Sequence, residues 1–336
     1  MEQKTIFRLA DAWCAGGRGT AMEIAEELLR PVAKCERLPG GLTATLKGKT
    51  DYTILLDAHI DEIALFVTSV QGGFVKVAAA GGFDSRMLPA TPVVIHGKQE
   101  VTGVFCSTPP HLLQGKSSVQ KVEDMYIDTL LEDAAELVRV GDPVTFATKA
   151  KALHFGAFTG KALDDRVACI ALIETAQRLA SAELPCNVCI SLSDAEEIGS
   201  RGARVNAFSV MPDEAVAIDV SFASGPDIPA EKSGKPGAGV MLGISPVLDR
   251  RVTGTLRSLC EREQIAYQPE VIGAATSTDA DVITLTGGGV PTGLCSIPLR
   301  NMHTTVETVW LSDVEETVRL LTAYCLNGGC SACVNC

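Results

Sequence analysis

The chain lacks the surplus of basic residues that binding to nucleic acid requires. Lysine and arginine total 29 against 41 aspartates and glutamates, which gives a formal net charge of −12. A protein that follows a phosphate backbone presents a basic face, so nucleic acid is not expected as a partner. No apolar run approaches the ~18 residues that a membrane span needs, and no leader-like segment follows the start at Met1–Lys4. The expectation is a cytoplasmic protein with no membrane partner.

Cysteine is also too sparse for a disulfide scaffold. The chain has 12 cysteines in 336 residues, and most of them lie in apolar runs as small buried side chains. Four cluster near the C-terminus with the spacing C-x4-C-x2-C-x2-C: Cys325, Cys330, Cys333 and Cys336. Such a group can hold zinc or an iron–sulfur cluster. We favour a loose, reducible extension, because no flanking element would hold a cluster in place.

What the chain does contain is a set of acidic and imidazole side chains at or just past the ends of short apolar segments. Five such segments lead to His59, Asp164, the pair Glu196-Glu197, Asp219 and His303. In an open α/β sheet the strand ends converge on one crevice. Neighbouring side chains at a strand end point in opposite directions, so one carboxylate of the glutamate pair can bind a cation while the other handles a proton. The pattern predicts a metal site with a general base beside it.

The order of the predicted elements indicates an α/β fold with a β-rich insertion. Two helical patterns occupy Lys4–Lys34, and Leu42–Leu56 contains two strands. Short β-branched runs broken by glycine and proline follow from about Val67 to Thr148, which is typical of a small β-barrel or sandwich. Helices and strands alternate again after Gly160. We predict four parts: catalytic α/β domain at 1–66 and 158–326, inserted β-rich domain at 67–157, and Cys-rich tail at 327–336.

Six motifs run in one order through the chain and contain every predicted site residue. They are Asp57-Ala58-His59-Ile60-Asp61-Glu62-Ile63, Gly160-Lys161-Ala162-Leu163-Asp164-Asp165-Arg166, Glu196-Glu197-Ile198-Gly199, Ala217-Ile218-Asp219-Val220, Ser277-Thr278-Asp279-Ala280 and Pro298-Leu299-Arg300-Asn301-Met302-His303. Together they resemble the binuclear-metal aminopeptidases that assemble into tetrahedral (TET) dodecamers, a family also labelled glutamyl or deblocking aminopeptidase and endoglucanase. The resemblance covers about residues 4–325. It implies a three-layer, zinc-exopeptidase-like catalytic domain with a small inserted β-barrel.

The resemblance also implies a role for each site residue. Two overlapping sets of ligands would hold two divalent metals through a bridging Asp164: His59, Asp164 and Asp219 for one metal, and Asp164, Glu197 and His303 for the other. Glu196 would be the general base, and Asp61 would orient the His59 imidazole. Asp165 would follow a strained peptide that presents the bridging carboxylate. Oxygen and imidazole ligands suit zinc, cobalt and manganese, with zinc or cobalt preferred.

The implied activity is removal of N-terminal residues from short peptides. Two divalent cations keep positive charge beside three carboxylates, which lowers the pKa of a shared water. The implied partners are peptide substrates and identical subunits, in a dodecamer built from dimers through the inserted domain. Two alternatives stay open: another hydrolase on the same fold, such as a deacylase or a glycosidase, and a non-catalytic binding protein.

Each ligand candidate, taken singly, also has a structural interpretation. The alternatives are a core histidine at His59, a helix N-cap at Asp164-Asp165, a turn cap at Asp219 and a surface histidine at His303. Outside the motifs, His111 is interpreted as structural or as a subunit contact, and His96 and His154 as incidental. The chain departs from the family pattern at three residues and one loop, which affects the substrate pocket more than the ligands: Ala64, Ser277, Asn301 and Gly234–Gly243.

Overall fold

The computed structural model describes residues 3–112, 119–226 and 228–330. Its α-helices are α1 Gln3–Asp11, α2 Ala21–Leu29, α3 Leu163–Leu179, α4 Arg201–Val210, α5 Arg250–Glu263, α6 Ala280–Ile283 and α7 Leu311–Asn327. Local chemistry fixes several ends. The Asp249 carboxylate accepts hydrogen bonds from the first N–H groups of α5, and α7 ends at Gly328, which has the left-handed φ of 76° that favours glycine. Within the described ranges, none of the helices is both long and apolar enough to cross a bilayer.

The strands fall into three groups. They are β1 Cys14–Ala15, β2 Arg18–Gly19, β3 Lys34–Leu38, β4 Gly41–Leu46, β5 Thr53–His59, β6 Ala64–Gln71, β7 Phe74–Ala80, β8 Pro92–His96, β9 Glu100–Phe105, β10 Ile127–Asp128, β11 Pro143–Phe146, β12 Lys151–Ala152, β13 Ala157–Gly160, β14 Asn187–Ser193, β15 Glu214–Phe222, β16 Val240–Ile244, β17 Tyr267–Val271, β18 Thr292–Arg300 and β19 Glu307–Trp310. The short pair β1 and β2 lies between α1 and α2.

The large sheet has eleven strands, and its four central strands are parallel. The strand order is β12-β13-β19-β18-β15-β5-β14-β4-β3, with β16 joined to β18 and β17 joined to β16. The central strands β18, β15, β5 and β14 run in one direction, so their carboxyl ends meet at one edge of the sheet. Strands β4 and β5 are consecutive in sequence but do not pair with each other, because β14 lies between them.

Helices cover both faces of this sheet, which gives the predicted three layers. Side chains alternate between the faces along each strand. Ile54 and Leu56 belong to the core under α1, α2, α3, α5 and α7, while Leu55 belongs to the smaller core under α4 and α6. All three side chains are fully buried. A strand with apolar residues on both faces is expected in a parallel sheet that is covered on both sides, and the predicted α/β fold is therefore confirmed.

Strands β6 to β11 close into a small barrel in the order β10-β7-β6-β11-β8-β9. The barrel has its own apolar core, and its strands lie between Ala64 and Phe146. The next strands, β12 and β13, pair in the large sheet. The domain limits at residues 67 and 157 stay predictions, but the expectation of a small barrel between two parts of an α/β sheet agrees with this topology.

His96 in the barrel is not incidental. Its ring stacks on Trp13 with centroids 3.8 Å apart, and its Nε2 lies 2.8 Å from the Thr145 hydroxyl. Trp13 follows α1, so this stack joins the barrel to the α/β part of the molecule. His154 lies at the start of a short 3-10 turn, outside the cavity that the ligand candidates line.

The start of the predicted Cys-rich tail is packed rather than loose. Cys325 is fully buried in α7, and the backbone N–H and the thiol of Cys330 both donate hydrogen bonds to the Glu214 carboxylate. Cys333 and Cys336 lie outside the described residues. The expectation of an extension without structure is therefore wrong for Cys330.

Candidate metal centre

The predicted site residues meet where the central strands end. His59 is the last residue of β5, Glu196 and Glu197 lie in the turn after β14, and His303 lies three residues after β18. Asp219 precedes the end of β15 rather than marking it. Asp164 also differs from the sequence interpretation: it lies four residues after the end of β13, where α3 begins, and its backbone (φ −78°, ψ 104°) is extended rather than helical. All six line one cavity of about 260 Å³.

Asp164 lies between the two imidazoles. Its Oδ1 is 3.0 Å from Nε2 of His59, and its Oδ2 is 3.3 Å from Nε2 of His303. The peptide bond between Asp164 and Asp165 is cis. One carboxylate oxygen therefore faces each histidine, which is the arrangement that a bridging ligand needs.

Glu197 and Asp219 lie on opposite sides of this bridge. Glu197 Oε1 is 3.5 Å from Nε2 of His303, and Asp219 Oδ1 is 4.0 Å from Nε2 of His59. The two predicted ligand sets are therefore assembled in space, each around one histidine with Asp164 common to both. The roles of these residues as ligands stay predictions.

Asp61 links the histidine to the glutamate turn. Its Oδ1 is 3.5 Å from Nδ1 of His59, and its two oxygens accept hydrogen bonds from the N–H groups of Glu196 at 3.1 Å and Glu197 at 3.4 Å. One buried carboxylate therefore faces the imidazole and holds the backbone of both glutamates. This position fits the predicted role of Asp61 in orienting His59. The hydrogen bonds to the glutamate backbone were not suggested by the sequence.

The electrostatics of the cluster show more negative charge than its histidines neutralise. Burial raises the pKa of the Glu196 carboxyl to about 7 and that of Glu197 to about 8, and the charge on Asp164 adds to both shifts. Burial likewise raises the pKa of Asp219 well above its ordinary value. Burial also opposes ionisation of Asp164, but the hydrogen bonds to His303 and His59 outweigh it and hold the pKa of Asp164 below its usual range. The hydrogen bond to Asp164 raises the pKa of His303 to about 9.

The donor set fits divalent cations. Ligand atoms of His59, Asp164 and Glu197 lie within 4.8 Å of one another, and so do those of His59, Asp165 and Asp219. Asp165 is fully buried, and neither of its oxygens has a hydrogen-bond partner in the part of the chain that the structure describes. A buried, unpaired carboxylate is unfavourable unless a cation or a proton balances it. Asp165 is thus a further candidate that the sequence interpretation had not counted as a ligand.

Glu307 is a second residue whose position the sequence did not reveal. This buried carboxylate accepts hydrogen bonds from the backbone N–H of His303 at 2.9 Å and of Asp164 at 3.0 Å. It therefore fixes the backbone of two predicted ligands at once. Its position four residues after His303 is the one sequence feature that could have indicated a contact with that histidine. The contact with Asp164 spans 143 residues, so it leaves no local pattern in the sequence.

The structural interpretations of the candidates fit less well than the ligand interpretation. The oxygens of Asp164 face the two histidines, and those of Asp165 have no hydrogen-bond partner in the described residues, so neither side chain caps α3. The His303 side chain is 34% exposed and faces two carboxylates, which distinguishes it from a free surface histidine. Asp219 accepts a hydrogen bond from the N–H of Val220 within its own strand. His111 lies in a short 3-10 turn, outside the residues that line the cavity.

The departures from the family pattern have backbone consequences. Ser277 has a φ of 60° and Asn301 a φ of 58°, the left-handed region in which glycine and asparagine are favoured. A glycine at position 277 would adopt this conformation without strain. Ser277 also lines the cavity, so its hydroxyl adds a polar group there.

Comparison of the sequence and the fold with known proteins shows which family the chain resembles. A model of the family described as M42 glutamyl aminopeptidase matches residues 40–320. Lysyl aminopeptidase of Pyrococcus furiosus is 31% identical over 313 residues, which cover 90% of this chain and 89% of that protein. The TET aminopeptidase of a marine-sediment Thaumarchaeota archaeon superposes with a TM-score of 0.90 at 28% identity over 96% of both chains.

A second solved structure is similar over nearly the whole chain. The TET1 peptidase of Pyrococcus horikoshii, which can assemble into a tetrahedron or a large octahedral shell, is 30% identical with a TM-score of 0.81, over 90% of this chain and 92% of that chain. The predicted family resemblance is confirmed. The chain belongs to the M42 glutamyl aminopeptidase family.

Proposed function

We propose that the protein is a two-metal aminopeptidase that removes N-terminal residues from short peptides, with Glu196 as its general base. The observation that carries the proposal is the Asp164 carboxylate, which turns one oxygen toward each of two histidines. One metal would be held by His59, Asp164 and Asp219, and the other by Asp164, Glu197 and His303. Zinc or cobalt suits these ligands, and manganese is compatible with them.

The cations supply chemistry that the side chains lack. When bound, two divalent metals supply the Lewis acidity that activates a water and stabilises the charge developing on the substrate carbonyl. Glu196 then takes the proton of the attacking water and delivers it to the departing amine. Burial raises the pKa of the Glu196 carboxyl to about 7 in the metal-free protein, and cations bound beside it would lower this pKa and favour the ionised form that accepts a proton. Asp61 acts by position, because it holds the backbone of Glu196 and faces the His59 ring.

Short peptides suit the dimensions of the site. The cavity of about 260 Å³ accommodates one residue with its flanking peptide better than a folded chain. The named relatives differ in the residue they are said to remove, lysyl in one case and glutamyl in the family description, so the aminopeptidase reaction is common to both. We also propose assembly into a homo-oligomer, a dodecamer built from dimers. The support is the similarity to a peptidase that forms a tetrahedron or an octahedral shell.

Replacing Glu196 with glutamine tests the mechanism. Loss of a general base lowers kcat by roughly 10²- to 10⁴-fold, and we expect this loss for Glu196→Gln on an aminoacyl p-nitroanilide. The metal content, measured by elemental mass spectrometry, should stay at the wild-type value because Glu196 is not a proposed ligand. Glu231→Gln is the matched control, since Glu231 is exposed and lies outside the cavity.

Two outcomes would count against the proposal. Wild-type turnover in Glu196→Gln would remove Glu196 from the mechanism. Turnover of the aminoacyl p-nitroanilide that survives full removal of metal by a chelator would instead favour a metal-independent amide hydrolase.

A further inference from the structure

The cavity of the candidate metal centre continues into a wall that none of the proposed roles uses. This wall combines apolar and hydroxyl side chains with one more carboxylate: Phe222, Glu270, Ile272, Leu294, Ser296 and Met302. Glu270 is the only charged residue of the described cavity lining outside the ligands and Glu196. Its presence needs an explanation, because a further negative charge in the cavity would weaken the binding of a substrate with an acidic or apolar side chain.

Glu270 reaches the cavity because of a glycine on the neighbouring strand. In β17, Glu270 pairs with Gly243 of β16. A Cβ on Gly243 would lie 2.8 Å from Cβ of Leu294 and 3.0 Å from Leu248, so no larger residue fits there. The Glu270 side chain therefore passes over β16 without obstruction, and its Oε2 accepts a hydrogen bond from Oγ of Ser296 at 2.6 Å.

Ser296 connects Glu270 to the metal centre. Strands β15 and β18 pair in parallel with Asp219 opposite Ser296, so both side chains point to the same face of the sheet, about 4.8 Å apart along the strand-to-strand direction. The carboxylate of Glu270 therefore contacts Ser296, and Ser296 lies next to the proposed ligand Asp219. This places it within reach of a side chain attached to the residue whose peptide bond is cut.

Glu270 has no basic partner of its own. It forms no ion pair with a lysine or arginine of the described residues, and neither residue type lines the described part of the cavity. Glu270 is half-buried, and a carboxylate partly removed from water gains from pairing with a cation. Ile272, Leu294 and Met302 provide apolar surface on the way to it. Long basic side chains combine an apolar stem with a charged end in this manner.

We propose that Glu270 makes the enzyme selective for peptides that begin with lysine or arginine. The Glu270 carboxylate pairs with the side-chain cation, while Leu294 and Ile272 contact the methylene stem. Ser296 holds the carboxylate in place through its hydrogen bond. The inference rests on the proposed aminopeptidase function, and its test separates the two.

The test compares lysyl and norleucyl p-nitroanilides, whose side chains differ mainly in the terminal ammonium. A hydrogen-bonded charge pair contributes about tenfold or more to discrimination, so kcat/KM for the lysyl substrate should exceed that for the norleucyl substrate by at least about tenfold. Glu270→Gln keeps the size and can still accept the Ser296 hydrogen bond. It should remove the lysyl advantage mainly through KM, while norleucyl hydrolysis should rise rather than fall, because the charge that disfavours an apolar side chain is gone. Ser296→Ala should cause a smaller loss, and Glu231→Gln none.

A binding measurement keeps the inference testable without turnover. Calorimetric titration of the metal-loaded protein with L-lysine and L-norleucine should show tighter binding of L-lysine to the wild type, and equal binding of both to Glu270→Gln. The absence of any hydrolysis would remove the proposed function but not this result. Equal binding of the two amino acids to the wild type would overturn the inference. So would an equal loss on both substrates in Glu270→Gln, because Glu270 would then serve a group common to all substrates.

Discussion

Strand β15 carries one buried acidic side chain at its start and another toward its carboxyl end, in opposite environments. At its start, Glu214 accepts hydrogen bonds from the hydroxyls of Tyr52 at 3.0 Å and Tyr324 at 2.9 Å and from the N–H of Cys330. Five residues later, Asp219 faces the candidate metal centre, where its Oδ1 lies 4.0 Å from Nε2 of His59. The same strand therefore holds one acid surrounded by donors and one surrounded by other acids.

The difference separates a structural acid from a functional one. Burial, with the charge of Glu214, raises the pKa of the Tyr52 and Tyr324 phenols and of the Cys330 thiol, the last to about 12. These groups therefore stay protonated and donate. At the other end, the Asp165 oxygens have no donor in the described residues, and burial raises the carboxyl pKa values of Asp165 and Asp219. An acid that the protein satisfies supports the fold, and one that it leaves unsatisfied needs a cation or a proton to balance it.

The largest expected effect is that metal bound near Asp219 of β15 stabilises the folded protein. A ligand at a thousand times its Kd adds about 4 kcal/mol to the free energy of unfolding, so zinc or cobalt added to metal-stripped protein should raise it by roughly that amount. Asp164→Asn should lose most of the increment, because Asp164 belongs to both proposed ligand sets. Denaturant titrations with and without metal measure the difference. An undiminished increment in Asp164→Asn would mean that the metal binds elsewhere.

Glu214→Gln tests the satisfied end of β15. Glutamine offers one acceptor oxygen and places an NH₂ group against the remaining donors. Leaving a buried donor unpaired costs ~1–3 kcal/mol, and we expect a loss of about 2 kcal/mol in the free energy of unfolding. The metal increment and kcat per folded molecule should match the wild type. A large loss of kcat in the folded variant would show that the two ends are coupled and that the comparison is too simple.

The fold and the residues that meet at the candidate metal centre were largely predictable from the sequence, because both depend on local signals. Apolar runs that end in His59 and Asp219 marked central strands, and the motifs ordered the rest along the chain. Asp164 shows the limit of this reasoning. The run before it suggested a strand end, but β13 ends at Gly160, and Asp164 follows in a non-helical segment that leads into α3.

Contacts between distant residues account for what the sequence did not reveal. Strand β14 inserts between β4 and β5, a pairing that no turn residue signals. The Glu214 and Cys330 contact spans 116 residues, and the Glu270 and Ser296 contact spans 26. Each of these residues looks ordinary in its own segment. Its environment exists only after the sheet has formed.

A smaller effect is expected in the pH dependence of the metal-free protein. The pKa values of Glu196 and Glu197 rise to about 7 and about 8, above their ordinary value of about 4.3. A raised pKa means that the folded state holds the proton more tightly, so the stability present at low pH is lost as the pH rises through these values. His303, with its pKa raised to about 9, contributes in the same direction.

Chelated protein should therefore lose on the order of 1 kcal/mol of unfolding free energy between pH 5 and pH 8. Glu197→Gln should reduce this slope, and saturating metal should reduce it further. Denaturant unfolding at several pH values measures it. A slope that steepens in Glu197→Gln would contradict the assignment of the shift to this cluster.

The smallest expected effect is that of Cys330→Ala, which removes one donor from Glu214 and leaves the Cys330 N–H and both tyrosines in place. One hydrogen bond contributes roughly 0.5–1.5 kcal/mol, and the low end applies because Glu214 stays well satisfied. Cys330→Ser should retain most of the stability, since a hydroxyl can donate where the thiol does. Equal stability of both variants and the wild type would mean that the thiol contact contributes nothing. Because the metal is assigned to the opposite end of β15, the metal content should be unchanged in both variants, and a fall would locate part of it at the cysteines.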